Sequence, residues 1–206
     1  MNAKVFRRGV VLLTLVALVA TSGLALAVER SGSDGNDRLF GTAGTDEING
    51  RDGDDLISGR FGNDLLRGGA GNDRIRGGQG RDAAIYDGYE AAVTASLRTD
   101  VATVSGDRDS LSSIESLKGG NGNDRLTGNR LRNTLSGYVG DDVLIGGGGP
   151  DTIFAGPGRD RIAGGSGNDF IFSADRGKDV IDCGPGNDVA SAEREDTVRN
   201  CEDVSR

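Results

Sequence analysis

Residues 59–82 read Gly-Arg-Phe-Gly-Asn-Asp-Leu-Leu-Arg, Gly-Gly-Ala-Gly-Asn-Asp-Arg-Ile-Arg and Gly-Gly-Gln-Gly-Arg-Asp. This stretch repeats a nine-residue unit with glycine at positions one and four, aspartate at position six and Leu or Ile at position eight. A fixed internal period is typical of stacked identical units rather than of a conventional globular core. Extending the register in both directions gives fourteen repeats with these position-six residues: Asp37, Asp46, Asp55, Asp64, Asp73, Asp82, Asp124, Asn133, Asp142, Asp151, Asp160, Asp169, Asp179 and Asp188.

Each repeat divides into a turn and a short strand. Positions one to six are rich in Gly, Asn and Asp, which favour turns and tolerate positive φ. Positions seven to nine predict a three-residue strand in which only the middle side chain is regularly apolar. Two repeats therefore make one 18-residue coil, with position eight pointing inward between two parallel sheets. The predicted fold is all-β: a parallel β-roll, or right-handed β-solenoid, of stacked nonapeptide repeats.

The aspartates predict a cation site between coils. Residues 18 apart lie on the same edge of neighbouring coils, about 4.8 Å apart. Two carboxylates at that distance repel by roughly 3 kcal/mol at an effective dielectric constant near 20. A hard divalent cation with flexible, oxygen-rich coordination fits better than magnesium, so we expect calcium. The alternative is that each aspartate only caps its own turn, which does not explain why like charges are stacked in register.

The repeats resemble the RTX (repeats-in-toxin, hemolysin-type) calcium-binding family, on the strength of the Gly-Asn-Asp turns and the register over residues 32–82 and 119–191. The resemblance implies a β-roll in which position-six aspartates and turn carbonyls hold Ca2+ between successive turns. It assigns this role to Asp37, Asp46, Asp55, Asp64, Asp73, Asp82, Asp124, Asp142, Asp151, Asp160, Asp169, Asp179 and Asp188. Counting the regular aspartate pairs predicts about seven well-formed sites. Asn133 and Leu131 depart from the pattern, and an extra residue before Asp179 lengthens two spacings to 19.

The N-terminus has the features of a secretory signal peptide over residues 1–27. Lys4, Arg7 and Arg8 precede an uncharged apolar stretch that ends in Ala25-Leu26-Ala27. A membrane anchor is the alternative, but a full span needs about 20 apolar residues. We therefore expect a secreted, extracellular protein with no membrane span after cleavage.

The remaining chain divides into a first repeat block (28–84), an interruption (85–118), a second repeat block (119–191) and a C-terminal cap (192–206). The interruption favours strands that continue the stack, because its Asp-x-Leu and Ile-Glu-x-Leu sequences resemble interruptions in RTX domains. A helical turn through Leu111, Ile114 and Leu117 and a plain spacer are the alternatives.

Cys183 and Cys201 favour a disulfide that closes the end of the stack, since an exported chain meets an oxidising compartment. Free thiols or a thiolate metal site are the alternatives. The tail around these cysteines resembles the ending of small secreted calcium-binding proteins of actinobacterial type.

Composition argues against several functions. The net charge is −8 with the predicted signal and −11 without its three cations, so nucleic acid is an unsuitable partner. The chain has no histidine, which excludes a Ser-His-Asp triad and a His-Glu-x-x-His zinc site. Only four residues separate the predicted cleavage site from the first repeat, so we expect no catalytic domain and no enzyme. Scattered threonines do not form the flat ranks of an ice-binding surface.

The expected function is that of a secreted protein whose β-roll folds on binding Ca2+. The alternative is an extracellular structural or adhesive protein that binds a partner, or itself, through an apolar face. Positions seven and nine of the second block place Phe154, Phe170, Phe172 and Val189 on one face. We expect the interruption or the C-terminal tail to cover this face; if neither does, it is an exposed patch suited to association.

Overall fold

The computed structural model describes residues 27–175 and 177–206. Within these ranges the chain forms strands and turns without any helix, so no helix there could cross a membrane. The predicted signal peptide, apart from Ala27, lies outside the described residues. The strands are β1 (Glu29–Ser31), β2 (Arg38–Phe40), β3 (Glu47–Asp52), β4 (Leu56–Phe61), β5 (Leu65–Ala70), β6 (Arg74–Gln79), β7 (Ala83–Ile85), β8 (Thr94–Ser96), β9 (Val101–Val104), β10 (Asp107–Ser112), β11 (Ser116–Lys118), β12 (Arg125–Thr127), β13 (Thr134–Ser136), β14 (Val143–Gly148), β15 (Thr152–Phe154), β16 (Arg161–Ser166), β17 (Phe170–Phe172), β18 (Val180–Asp182), β19 (Val189–Ser191), β20 (Thr197–Arg199) and β21 (Asp203–Ser205).

These strands form two sheets, because each coil gives one strand to each. The ten-stranded sheet has the order β1-β3-β5-β7-β11-β13-β15-β17-β19-β21. The eleven-stranded sheet has the order β2-β4-β6-β10-β9-β8-β12-β14-β16-β18-β20. Within a repeat block, neighbours are parallel and paired residues are 18 apart, as in Leu39 with Ile57, or 19 apart across the longer repeat, as in Ile162 with Ile181. The predicted parallel β-roll is confirmed.

The core is a double row of position-eight side chains between the sheets. All twelve position-eight Leu and Ile residues are buried, as are Ala84 and Ala190, which end the two blocks. Each buried Leu or Ile contributes about 1.5–3 kcal/mol. With only two such residues in a coil, the core is thin, and the acidic turns at its edges have a large influence on stability.

The interruption contributes strands β8 to β11. Leu111 of β10 pairs with Ile75, and Leu117 of β11 lies between Ala84 and Leu135, so both continue the position-eight rows. Leu111 and Leu117 lie on strands, not on a helical turn. The chain order is reversed here: β10 pairs with β6, whereas the earlier strand β8 pairs with β12. Strand β9 runs antiparallel between β8 and β10, which lets both of them stay parallel to the stack.

The last coil closes the C-terminal end of the stack. Val198 of β20 pairs with Ile181, and Val204 of β21 pairs with Ala190. Cys183 and Cys201 form a disulfide with a Cα–Cα distance of 5.2 Å, so the predicted disulfide is confirmed and the alternatives of free thiols or a thiolate metal site are wrong.

The outer face of the ten-stranded sheet has an aromatic patch. Phe154, Phe170 and Phe172 are 43%, 49% and 43% exposed, and the rings of Phe154 and Phe172 stack at 5.0 Å. We call these three residues the phenylalanine face. The expectation that the interruption or the tail covers it is wrong within the described ranges, because both segments join the stack instead of folding over it.

Candidate metal sites

The thirteen predicted aspartates all lie in the turns that lead into the strands. Asp37 is half-buried, and the other twelve are at most 2% exposed. They form two rows, one along each sheet. The row that precedes strands of the eleven-stranded sheet contains Asp37, Asp55, Asp73, Asp124, Asp142, Asp160 and Asp179. The row along the ten-stranded sheet contains Asp46, Asp64, Asp82, Asp151, Asp169 and Asp188, with Asn133 between its two halves.

Successive aspartates in a row are joined by a hydrogen bond. The backbone N–H of one position-six residue donates to Oδ1 of the aspartate 18 residues later, at 2.7–2.9 Å, as from Asp55 to Asp73. Across the longer repeat the same bond forms at a separation of 19, from Asp160 to Asp179 and from Asp169 to Asp188, both at 2.8 Å. The extra residue therefore leaves both rows intact.

The second carboxylate oxygen, Oδ2, divides the turns into two kinds. In nine turns Oδ2 is buried and has no hydrogen-bond partner among the described residues. We call these open turns; their aspartates are Asp55, Asp64, Asp73, Asp82, Asp142, Asp151, Asp160, Asp169 and Asp188. An unpartnered buried carboxylate oxygen is costly, so an open turn fits a cation that would complete it.

In four closed turns, the backbone N–H of position two donates to the position-six side chain of its own repeat, at 2.5–2.7 Å. The acceptors are Asp37, Asp46, Asp124 and Asn133, which form the first coil of each repeat block. A closed turn therefore satisfies its own acceptor oxygen with a protein donor.

The backbone angle at position two distinguishes the two kinds of turn. In all nine open turns this residue has a φ between +79° and +130°, and in none of the four closed turns is φ positive. Three of the nine are not glycine: Arg51, Arg60 and Tyr138. A non-glycine residue in this region costs about 1–3 kcal/mol and persists only where its surroundings require it. The open turns thus combine backbone strain with an unpaired carboxylate oxygen.

Turn carbonyl oxygens lie beside these carboxylates. A Cβ added to Gly50, at position one, would lie 2.1 Å from Oδ2 of Asp55 and 2.3 Å from the carbonyl oxygen of Gly68 in the next coil. Glycine is required here because two acceptor oxygens from successive coils converge on its Cα. Carboxylate and carbonyl oxygens are the ligands that calcium prefers.

Burial makes these carboxylates hard to ionise. Together with the charge of neighbouring carboxylates, it raises the pKa of Asp82 to about 6. The same causes raise the pKa to about 7 at Asp73, Asp142, Asp151 and Asp160. A cation between the coils would stabilise the charged form and lower these pKa values.

Asn133 closes the turn that departs from the repeat pattern. Its Oδ1 accepts from the Asn129 N–H at 2.7 Å, and its Nδ2 donates to the carbonyl oxygen of Glu115 at 3.3 Å. Both ends of the amide are therefore satisfied by protein groups. That no full site forms at Asn133 stays a prediction.

Sequence reasoning missed four carboxylates that extend the rows. Asp109 and Glu115 accept from the backbone N–H groups of Asp73 and Asp82, at 3.0 and 2.9 Å. In the last coil, Asp196 and Glu202 accept from those of Asp179 and Asp188, at 3.0 and 2.8 Å. The available signal was an apolar residue two positions later: Leu111, Leu117, Val198 or Val204. These carboxylates lie 36, 33, 17 and 14 residues after their backbone donors, so a comparison of residues 18 apart does not find them.

Sequence reasoning also missed Asp175, which belongs to the longer repeat. One carboxylate oxygen from each of Asp160, Asp175 and Asp179 lies within 4.8 Å of the others. The hydroxyl of Ser173 donates to Oδ2 of Asp179, so this turn is neither open nor closed in the sense above.

The match to a protein-family model agrees with this geometry. The RTX calcium-binding nonapeptide repeat matches six overlapping segments: residues 31–66, 50–84, 112–137, 118–153, 136–171 and 154–190. No curated protein matches the chain. Among solved structures, the extracellular lipase LipA from Serratia marcescens aligns over 84% of this chain and 33% of its own, with 23% identity and a TM-score of 0.26.

The chain thus spans about a third of that lipase, and the superposition is too weak to transfer any activity. The family match is more informative, because its segments cover both repeat blocks and more than half of the chain. They coincide with the turns whose aspartates form the two rows. The chain belongs to the RTX family of calcium-binding nonapeptide-repeat proteins.

Proposed function

We propose that this protein is a secreted calcium-binding protein whose β-roll folds when Ca2+ binds between its glycine-rich turns. The observation that supports this most directly is the set of nine open turns, each with a buried, unpartnered carboxylate oxygen. Their aspartates would hold the ions, with help from turn carbonyls. The four closed turns already satisfy their acceptors and would not be sites on their own.

The coupling to folding follows from charge. Without a cation, each row stacks buried carboxylates against one another over a thin core. Binding energy that is available only to the folded state then becomes folding energy. We therefore expect the metal-free chain to be largely unfolded at neutral pH and low ionic strength.

A calcium titration of the purified chain tests both parts of the proposal. Circular dichroism should change from a disordered to a strand-rich spectrum as calcium is added, and calorimetry should give a stoichiometry near the nine open turns. Magnesium at the same concentration is the control and should produce much less strand, because it keeps its waters and demands a strict octahedron. A strand-rich spectrum in calcium-free buffer would refute the coupling to folding. An absence of binding heat and of retained calcium would refute the proposal altogether.

A second candidate function is calcium-dependent association. The exposed phenylalanine face favours it, because aromatic side chains at this exposure are suited to an interface. Sedimentation with and without calcium tests self-association. A calcium-dependent increase in mass that is lost in an F154S/F172S variant would support it, whereas a monomer throughout would leave the role of a free calcium-binding module.

We propose no catalytic role and no nucleic-acid partner. The described carboxylates repeat along the two rows in equivalent turns, which suits a structural cation site rather than one acid and one base. The net charge of −8 repels a phosphate backbone.

A further inference from the structure

The two sheets differ in the charge that their strands carry. The strands of the ten-stranded sheet contain four cations and four carboxylates, whereas those of the eleven-stranded sheet contain eight arginines and three aspartates, of which Asp109 is buried. All eight arginines are exposed, and we call their side of the sheet the arginine face: Arg38, Arg60, Arg74, Arg76, Arg108, Arg125, Arg161 and Arg199. A chain with a net charge of −8 thus concentrates positive charge on one surface.

Arginines on this face alternate with aliphatic side chains along the stack. In the second block, the strand register places Val143 between Arg125 and Arg161. The first block has the same alternation, in the order Arg38, Leu56 and Arg74. Because neighbouring strands are about 4.8 Å apart, these arginines recur about every 10 Å. A carboxylate on the intervening strand would neutralise them, but the sequence has an aliphatic residue there.

Few of these guanidinium groups have a carboxylate partner within the described ranges. Among the residues described, Arg199 is the only one of the eight in an ion pair, with Asp182 at 3.0 Å. Arg60 lies over the ring of Phe40 instead, with its guanidinium carbon 5.1 Å from the ring centre. An exposed guanidinium presents a planar fork of N–H donors that matches the oxygens of a carboxylate or phosphate. The face therefore suits an anionic partner.

A groove of about 820 Å³ opens on this face where the interruption meets the second block. Its lining includes the outward side chains of Thr127 and Ile145, together with Arg98, Arg130 and the 66% exposed Leu131. Neither of these two arginines belongs to an ion pair in the part of the chain that the structure describes. A concave site of this size, with apolar side chains and a few polar groups, fits part of an organic ligand.

We propose that the arginine face binds a linear acidic polysaccharide, with part of the polymer held in the groove. Such a polymer carries its acidic groups at intervals along a chain of sugar rings, so the arginines would pair with the acids and the aliphatic side chains would contact the rings. Duplex nucleic acid matches the face less well, because its charges recur about every 1.7 Å along the axis, far more densely than the arginines. This inference goes beyond calcium binding and requires only that the chain is folded.

Hyaluronate, in which every second sugar carries a carboxylate, is the probe. Fluorescence anisotropy of a labelled hyaluronate oligosaccharide, titrated with the calcium-saturated chain, measures binding, and neutral dextran of similar length is the ligand control. Affinity should decrease as salt increases. The R125Q/R161Q variant should bind about tenfold more weakly, because it loses two exposed charge-assisted contacts. The matched control, R132Q/R194Q, removes two exposed arginines that lie in turns outside the face and should bind like the unchanged chain.

Circular dichroism in saturating calcium checks that each variant keeps the unchanged strand spectrum, and R38Q/R74Q gives an independent comparison in the first block if R125Q/R161Q does not fold. No binding of hyaluronate at low salt, or an equal loss in R132Q/R194Q, would overturn the proposal. Equal or tighter binding of duplex DNA or of anionic phospholipid vesicles would also overturn it, in favour of a phosphate partner. If the chain is already folded without calcium, the proposed coupling to folding fails, whereas the hyaluronate result still decides the role of the arginine face.

Discussion

The hydroxyl of Tyr86 donates to Oδ2 of Asp109 at 2.9 Å, in the middle of the interruption. Asp109 extends one carboxylate row, and Tyr86 gives its second oxygen a protein donor. In the open turns the equivalent oxygen has none among the described residues. The interruption therefore extends the row of the first block with a carboxylate whose second oxygen already has a protein donor.

Replacing Tyr86 with phenylalanine should destabilise the calcium-saturated chain by about 1–3 kcal/mol, because it leaves a buried carboxylate oxygen unpartnered. Urea unfolding in saturating calcium measures the loss. Tyr138→Phe is the control, since the Tyr138 side chain is 41% exposed, and its effect should stay within about 0.5 kcal/mol. Equal stability of Y86F and the unchanged chain would contradict the role of Tyr86.

Asp151→Asn and Asp37→Asn compare an open turn with a closed one. Each asparagine keeps an oxygen for the existing backbone donor, Asn133 N–H for Asp151 and Ser33 N–H for Asp37. D151N should lower the calorimetric calcium stoichiometry by one, and D37N should leave it unchanged. If D37N lost an ion and D151N did not, the assignment of sites to open turns would be wrong.

The metal-free chain should become more stable as pH falls. Burial raises the folded-state pKa of Asp73, Asp142, Asp151 and Asp160 to about 7, above the ordinary value of 3.8. The folded state therefore binds protons more tightly than the unfolded state, and the free energy of unfolding decreases as pH rises from about 4 to about 7. Circular dichroism in calcium-depleted buffer should show more strand at pH 5 than at pH 8.

Calcium binding should have the opposite pH dependence. Protons compete with calcium for the same carboxylates, so calorimetric affinity should fall between pH 8 and pH 5. A calcium affinity that does not change over this range would indicate that the buried aspartates are not the ligands.

Shortening a position-eight side chain should be costly even with calcium bound. Ile153 is fully buried, and Ile153→Ala should destabilise the chain by about 2–5 kcal/mol, because the thin core cannot close the cavity. Val180→Ala is the control on the outer face, where the side chain is 41% exposed. Urea midpoints in saturating calcium measure both, and similar losses would contradict the inward role of position eight.

The sequence predicted the features that recur at a fixed spacing. The regular spacing of residues such as Asp55 and Ile57 was sufficient to predict the row of aspartates and the row of inward apolar side chains. It was sufficient because one backbone geometry repeats along the stack. Asp109 and Asp175 were not predicted, since the first pairs across 36 residues and the second lies in the turn with an extra residue. In both cases the chain leaves the period, and only the folded backbone shows which groups meet.

The division into open and closed turns was also beyond sequence reasoning. Gly120 is at position two of a closed turn and Gly147 at position two of an open one, so the residue type does not decide the outcome. The open turns also include Arg60, although a positive φ is uncommon for a residue other than glycine. The φ angle at position two depends on the place of its coil within the repeat block. That place is a property of the folded stack and not of the residue type.

The reversed strand order of the interruption has a consequence for the order of folding. Elsewhere each coil pairs with the coil just before it, so the stack can grow outward from a coil that has already folded. Strand β6 instead pairs with β10, in which Ser110 lies opposite Arg74, a residue 36 positions earlier in the chain. Strands β8 and β9 must also fold back before β12 can pair with the sheet. Closing this longer loop costs more chain entropy than closing a single coil. Winding from the N-terminus should therefore pause after the first block, which makes the interruption the kinetic boundary between two halves of one continuous stack.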